Sequence, residues 1–329
     1  MWNRTKLFLL NNGPLLFTII IFTIGYFISG QLYPAMQKPQ VFFNLFVNNA
    51  SLLLLSIGMT FVVISNGIDL SVAGMLALTT VATATLLNLG VSPYIIMPLM
   101  ILMGIAFGAL QGFIIYKLKV EAFVVTLMGM FFCRGMAYII SLTSVTITDP
   151  VYKALAFQKV LIPGLGKTYV YLYSIVALVM FLIAIYIAKY TRFGRTMYAI
   201  GNNEQSARLM GLPVERTRIM VYAFSGFCSA LGGIVFSMAL LSGYGQYAFA
   251  MEMDAIASVV MGGTVLTGGM GNVIGTLFGV LIEGTIISVL QFNGTLSSWW
   301  TRIGVGVLTL FFIGIQMVFQ QMGKKSSSS

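Results

Sequence analysis

Between Lys38 and Lys117 the chain carries one charged residue, Asp69. The stretch is otherwise filled by long apolar runs, at about 49–65, 71–88 and 94–115. No water-soluble fold can hide so much uncharged chain. Soluble domains carry about 25% charged residues, whereas this sequence has 8% charged and 58% hydrophobic residues over 329 positions. A helix needs about 20 apolar residues to cross a bilayer, and the runs have roughly that length. They are continuous rather than alternating, which argues against a β-barrel. These features define an all-α polytopic membrane protein, with the lipid bilayer as its solvent.

Ten spans are expected, at about 15–33, 49–65, 71–88, 94–115, 122–142, 169–188, 219–241, 253–268, 271–290 and 301–319. They form one transmembrane domain over 1–329, with a cytoplasmic loop at 189–218 and a polar tail at 323–329. Arg4 and Lys6 precede the first span, and no small-residue cleavage site follows, so that span is expected to be retained. Starting inside, the count puts Lys117 with Lys119, the 189–218 loop, and Lys324 with Lys325 on one side. Positive-inside bias makes that side cytoplasmic, with both termini on it. The longer 143–168 connection, carrying Lys153, Lys159 and Lys167, falls outside, and long connections obey the rule less strictly. The net charge of +10 is therefore membrane topology rather than a nucleic-acid surface. Both cysteines, Cys133 and Cys228, lie in apolar segments, and the sequence has no histidine. That removes zinc-finger spacing and histidine catalysis, and no nucleophile–base constellation points to an enzyme.

Two spans read as broken. The third opens in SNGIDLSVAG (65–74), and the eighth runs from near Asp254 into MGGTVLTGGMGN (261–272). A run of about 15 residues ending in glycines suggests a half-helix or re-entrant turn, a feature of transport pathways. An internal repeat accompanies them. Gly104-x-x-Phe107-Gly108-x-Leu110 recurs as Gly275-x-x-Phe278-Gly279-x-Leu281 at an offset of 171. Asp69 and Asp254 each open the preceding helix, and the span count makes the repeat inverted. The alternative is that such glycine patterns recur in any membrane bundle, because small residues let helices approach.

Among charges near the spans, Asp69 has two readings. It lines or braces a polar path, or it caps the next helix together with Ser71. Arg134 and Glu283 are candidates for a buried pair, and Trp299 and Trp300 for an interfacial anchor. The run Gly164-Leu165-Gly166-Lys167-Thr168 resembles the end of a phosphate-binding loop. The motif needs a glycine where Leu161 stands, and no strand precedes it. The chain therefore has no ATP site or cofactor of its own.

The segment Lys189–Arg218 is the one long polar, charge-dense stretch, carrying Lys189, Arg192, Arg195, Arg208, Arg216 and Arg218 against Glu204 and Glu215. Within it a short helix over Glu204–Met210 is expected. Asn202 or Asn203 caps its start, Gly211 closes it and Pro213 stops it.

Four stretches together resemble one family: SNGIDLSVAG (65–74), YAIGNNEQSARLMGLPVERTR (198–218), DAIASVVMGGTVLTGGMGNVIGTLFG (254–279) and NGTLSSWWTRIGVG (293–306). They are similar to the inner-membrane permease subunits of bacterial ABC sugar importers of the ribose/xylose/galactose type, within the branched-chain amino-acid permease superfamily. The likeness is strongest to the smaller permease of galactofuranose importers. It implies a pore of two permease subunits, here a heterodimer, with two ATPase subunits at the cytoplasmic face and a periplasmic sugar-binding protein. ATP is bound by the partner chains. Residues 202–213 resemble the family's coupling helix, so Asn203, Glu204, Gln205, Ser206, Ala207, Arg208, Leu209, Met210 and Gly211 are expected to meet the ATPase. A neutral sugar needs hydroxyl and amide groups along its path. Asn66, Asp69, Ser71, Thr264, Thr267 and Asn272, near the broken helices, are the candidates. Two alternatives stay open: a permease of the same fold for ribose, a nucleoside or an amino acid, and an ATP-independent secondary transporter.

Overall fold

The computed structural model describes residues 2–294, 299–300 and 303–314, with side chains from Gly13 onward. The polar tail at 323–329 and the last part of the expected tenth span lie outside the described residues. Helix α1 (Trp2–Leu32) is followed by α2 (Pro39–Asn48), α3 (Ala50–Ile64), α4 (Ser71–Asn88), α5 (Pro93–Lys117) and α6 (Ala122–Ile140). A small outer layer follows: strand β1 (Val145–Thr146), helix α7 (Pro150–Ala156), and strands β2 (Lys159–Leu161) and β3 (Tyr169–Tyr171). The second part holds α8 (Leu172–Tyr190), α9 (Arg192–Asn202), α10 (Glu204–Leu209), α11 (Val214–Leu240), strand β4 (Ser242–Gly243), α12 (Met251–Met261) and α13 (Val273–Asn293). Helix α14 covers Ile303–Gly314. Among the described residues seven helices are long and apolar enough to cross a membrane, and α2 with α3 would make an eighth as one span bent by 53°.

The expected boundaries of 71–88, 94–115 and 122–142 agree with α4, α5 and α6 to within two residues. The second span, expected at 49–65, is α3 to within one residue, and a helix that was not expected, α2, stands before it. The break between them falls at Asn49, whose side chain donates to the Leu45 carbonyl at 2.8 Å and lies against Gly284 of α13. Part of the polar 189–218 segment is α9, whose buried face puts Gly194 against the end of α8, Ile200 beside Ala207 and Val214, and Gly201 against Ile64 at the end of α3. Arg134 and Glu283 do not meet: Arg134 donates to backbone carbonyls of 245–248, and Glu283 accepts from Ser258 Oγ at 2.9 Å. Contrary to expectation a strand, β2, does precede the Gly164–Thr168 run, but the run is the turn of the antiparallel β2–β3 hairpin and Leu161 still stands where the phosphate-binding motif needs glycine. The described span α12 has 11 residues, about 16 Å of helix, and so is about half of a crossing.

The packing explains which residues are charged and which are not. Helix α3 is buried along its whole length and α4 from Ser71 to Ala84, so neither tolerates a charge. Helices α5, α6 and α8 bury a narrow stripe and leave Leu102, Phe113, Phe131, Phe132 and Leu182 exposed, a surface that lipid would cover. Two helices sit at the centre. Helix α11 packs against α4 and α5, and α3 packs against α12 and α13, while α3 and α11 also touch each other. Each central helix therefore covers the helix pair of the other half, the exchange expected of an inverted repeat. Small residues set the approach. A Cβ on Gly104 would overlap the Gly226 carbonyl oxygen, and one on Gly226 would overlap that of Gly104.

Candidate functional site

Helix α10 is short, and its caps account for its stability. The Asn203 side chain accepts from Ser206 N at 2.8 Å, satisfying one of the free amides of the first turn. At the other end Gly211 adopts φ of +72°, and the Leu212 and Gly211 amides reach the Ala207 and Arg208 carbonyls at 3.1 and 2.9 Å. This is a glycine-closed terminus, followed at once by Pro213. Ala207 is buried with Ile200 and Val214 against Tyr116. Glu204 holds Arg208 at 2.5 Å and Arg218 at 2.8 Å. Burial pushes the Glu204 carboxyl up, but the hydrogen bonds and charges of the two arginines outweigh it and hold it below the usual carboxylate range. The same contact raises Arg208 above its ordinary value. Leu209 and Met210 remain outside, at 89% and 66% exposure. A braced polar stub thus presents two apolar side chains to water. Beside it Tyr116, Arg208 and Leu212–Arg216 line a groove of about 380 Å³.

Two irregular segments lie under this stub. The turn between α3 and α4 has Asn66 at φ of +61°. The loop between α12 and α13 turns through Gly263, Gly268 and Gly269, all with positive φ, a backbone that glycine adopts without strain. The segments are joined by the Gly269 amide donating to the Ile64 carbonyl at 2.9 Å, and Gly268 lies against Asn66, where a Cβ would come within 2.7 Å. Helix α9 bridges both: Tyr198 donates to the Gly271 carbonyl at 2.8 Å and Asn202 to that of Gly269 at 3.3 Å.

The sequence candidates divide between these pieces. Asn66 and Thr267 are exposed, Thr264 is buried, and Asn272 caps α13 by accepting from Ile274 N at 2.9 Å. Asp69 and Ser71 belong to a neighbouring buried cluster. One Asp69 oxygen accepts from the Ser71 amide and hydroxyl at 2.9 and 2.6 Å, and the other from Ser225 at 2.7 Å. The Ser71 hydroxyl also lies 3.0 Å from Gln111 Oε1. Asp69 therefore ties α4, α5 and α11 together. Its carboxylate spares the first turn of α4 an unpaired amide, the capping contribution expected of it. Sequence reasoning missed Gln111, Ser225 and Tyr198, and offered Asn202 only as a cap of α10, a place that Asn203 takes. Ser225 stands seven residues after Arg218 on α11, a spacing that puts both on one face and could have found it.

At the opposite end Arg134 of α6 donates to the carbonyls of Gly245, Tyr247 and Ala248 at 3.0, 3.4 and 3.2 Å and lies 5.7 Å from the Phe249 ring centre. It satisfies the non-helical backbone that leads from β4 into α12.

A bundle of apolar helices with a half-helix, an exchanged repeat and a braced surface helix defines a membrane permease. The chain belongs to the branched-chain amino acid transport system / permease component family, whose model matches residues 41–319. It is 43% identical to the inner membrane ABC transporter permease protein YjfF of Escherichia coli strain K12, over 97% of this chain and 96% of that protein. It is 34% identical to the fructose import permease protein FruG of Bifidobacterium longum, over 94% and 92% of the two chains. The ribose import permease protein RbsC of Escherichia coli strain K12 is 33% identical over 94% of each. No solved structure matches the chain.

Proposed function

We propose that this chain is the transmembrane permease subunit of an ATP-driven importer that moves a monosaccharide, of the galactofuranose kind, across the bacterial inner membrane. The observation that carries the reading is α10. A six-residue helix capped at both ends, with Leu209 and Met210 exposed, is a handle for another protein. It sits where the α3–α4 turn and the α12–α13 loop abut, so force applied to it reaches both irregular segments of the bundle. Relatives named for fructose and ribose import support a sugar as cargo. In this reading the α10 end faces the cytoplasm with both termini, a partner ATPase binds the ATP, and a periplasmic binding protein delivers the sugar. A second permease, a homologue of this chain, completes the pore. Asn66, Asp69, Ser71, Thr264, Thr267 and Asn272 belong to, or brace, the inner part of the sugar path.

The test combines uptake with ATP hydrolysis in the assembled importer. Deleting 204–210, or replacing Gly211 with Ile, is expected to abolish labelled galactofuranose uptake and its stimulation of ATP hydrolysis while the membrane part stays folded. Uptake by this chain alone in liposomes, driven by a substrate or ion gradient, would contradict the reading. Uptake of ribose, fructose or arabinose in place of galactofuranose would move the substrate and leave the mechanism.

A further inference from the structure

Arg218, Tyr222 and Ser225 follow one another along α11 at spacings of four and three, so they share one face of the helix. Each meets a different residue of the turn that opens α4. The Arg218 guanidinium reaches the Asn66 carbonyl at 3.5 Å, a long contact. The Tyr222 hydroxyl lies against Gly67, where a Cβ would come to 2.5 Å from it. Ser225 donates to Asp69 at 2.7 Å. Arg218 is 12% exposed, and its other terminal nitrogen holds Glu204 of α10 at 2.8 Å. One guanidinium thus touches the stub on one side and the backbone of the α3–α4 turn on the other.

We infer that Arg218 is a positioning residue that transmits displacement of α10 into the 65–71 turn, and through Asn66 into the glycine loop at Gly268. The inference rests on the reading of α10 as the ATPase contact. The geometry suits the task. Helix α11 is a rod of 27 residues, about 40 Å, buried against α3, α4 and α5, so its face moves as a unit. Residues 210–213 join α10 to α11, and Gly211 is the left-handed link. Glu204 pins α10 to the start of the rod across that link. A planar fork with several donors can serve a carboxylate and a carbonyl together, whereas a lysine ammonium is a single point charge. The exposed Lys117–Glu215 pair at the same end, 2.7 Å apart, connects α5 to α11 without touching the turn.

The test uses the complete importer, purified through a tag on this chain and reconstituted in proteoliposomes, with a radiolabelled monosaccharide that the wild type transports. In Arg218→Gln the ATPase is expected to co-purify and hydrolyse ATP as in the wild type, while uptake falls about tenfold or more, the size of an ordinary coupling energy. Arg218→Lys falls in the same direction by less, and Lys117→Gln leaves both readouts unchanged. Unchanged uptake in Arg218→Gln overturns the inference. So does a parallel loss of assembly, hydrolysis and uptake, which marks a merely structural arginine. If the wild-type chain brings down no ATPase, the reading of α10 fails first and the inference falls with it. An intact wild-type complex with an unaffected Arg218→Gln variant refutes the inference alone.

Discussion

The two halves of the bundle carry the same glycine motif and use it differently. In α5, Gly104 and Gly108 press against Gly226 and Tyr222 of α11, across the boundary between halves. In α13, Gly275 and Gly279 press against Gly262 and Ser258 of α12, within their own half. The preceding helices differ too. Helix α4 runs for 18 residues, whereas α12 has 11. The second half gives up helix to non-helical backbone on both sides of α12, with Leu241, Ala248 and Ala250 at positive φ on one side and Gly263, Gly268 and Gly269 on the other. Such backbone survives at membrane depth where protein covers it or water reaches it. The first half is a frame of continuous helices with the 65–70 turn as its irregular segment, and the second holds the larger share of non-helical backbone.

The largest expected effect tests that contrast directly. Gly108→Val drives a side chain into the Tyr222 backbone of a helix packed on three sides, so folded protein should be lost from the membrane. The cost exceeds the roughly 1–3 kcal/mol of ordinary overpacking, because backbone rather than side chain must move. Gly279→Val also meets backbone, the Ser258 carbonyl, but that of a short helix flanked on both sides by non-helical chain rather than of a 27-residue rod. It should retain folded protein, read as monodisperse material in detergent. Equal losses would dissolve the distinction between the two halves.

The two aspartates sharpen the comparison at smaller scale. Asp69 is 1% exposed and accepts from Ser71 and Ser225, so Asp69→Ala leaves buried hydroxyls unpaired at a cost of roughly 1–3 kcal/mol. Its repeat counterpart Asp254 is only half-buried in the first turn of α12, so its removal is expected to cost less than that of Asp69. Thermal inactivation of the two variants in one detergent checks the order, and a larger shift for Asp254→Ala would reverse it.

The smallest effect concerns pH. The folded Glu204 carboxyl titrates below its ordinary value of 4.5. Its stabilising contribution is therefore complete above that value and is lost as pH falls below it through the lowered value. Partial exposure limits the effect to under about 1 kcal/mol. Proteolysis at the α10 stub should rise on acidification below pH 4.5 in the wild type, and Glu204→Gln should show the raised rate at neutral pH without that dependence.

Much of this architecture is legible in the sequence, for physical reasons. Apolar runs must become helices in lipid, so Ser71–Asn88 reads directly as α4. Capping chemistry is local, so Asn203 and Gly211 mark the ends of α10. The GG-rich stretch after Met261 signals the short α12. Contacts between distant segments are not local and were not legible. Arg134 finds carbonyls 111 to 114 residues away, so its pairing with Glu283 could not be tested by spacing. The break at Asn49 was hidden because the polar residues Asn44, Asn48 and Asn49 read as a connection rather than a bent helix pair. Helix α9 was hidden because its charges mask an amphipathic face that α3, distant in sequence, and the flanking α8 and α11 cover.

The central claim, that α10 is the contact with an ATP-hydrolysing partner, is tested most directly by replacing its two exposed apolar side chains. Leu209→Asp with Met210→Asp leaves the Asn203 cap, the Gly211 terminus and the Glu204 ion pairs in place, so the stub should stay folded. When this chain is isolated in mild detergent through a tag, the wild type should bring down the ATPase and the double variant should not, at equal yield of folded permease. Full recovery of the ATPase with the double variant would contradict the account.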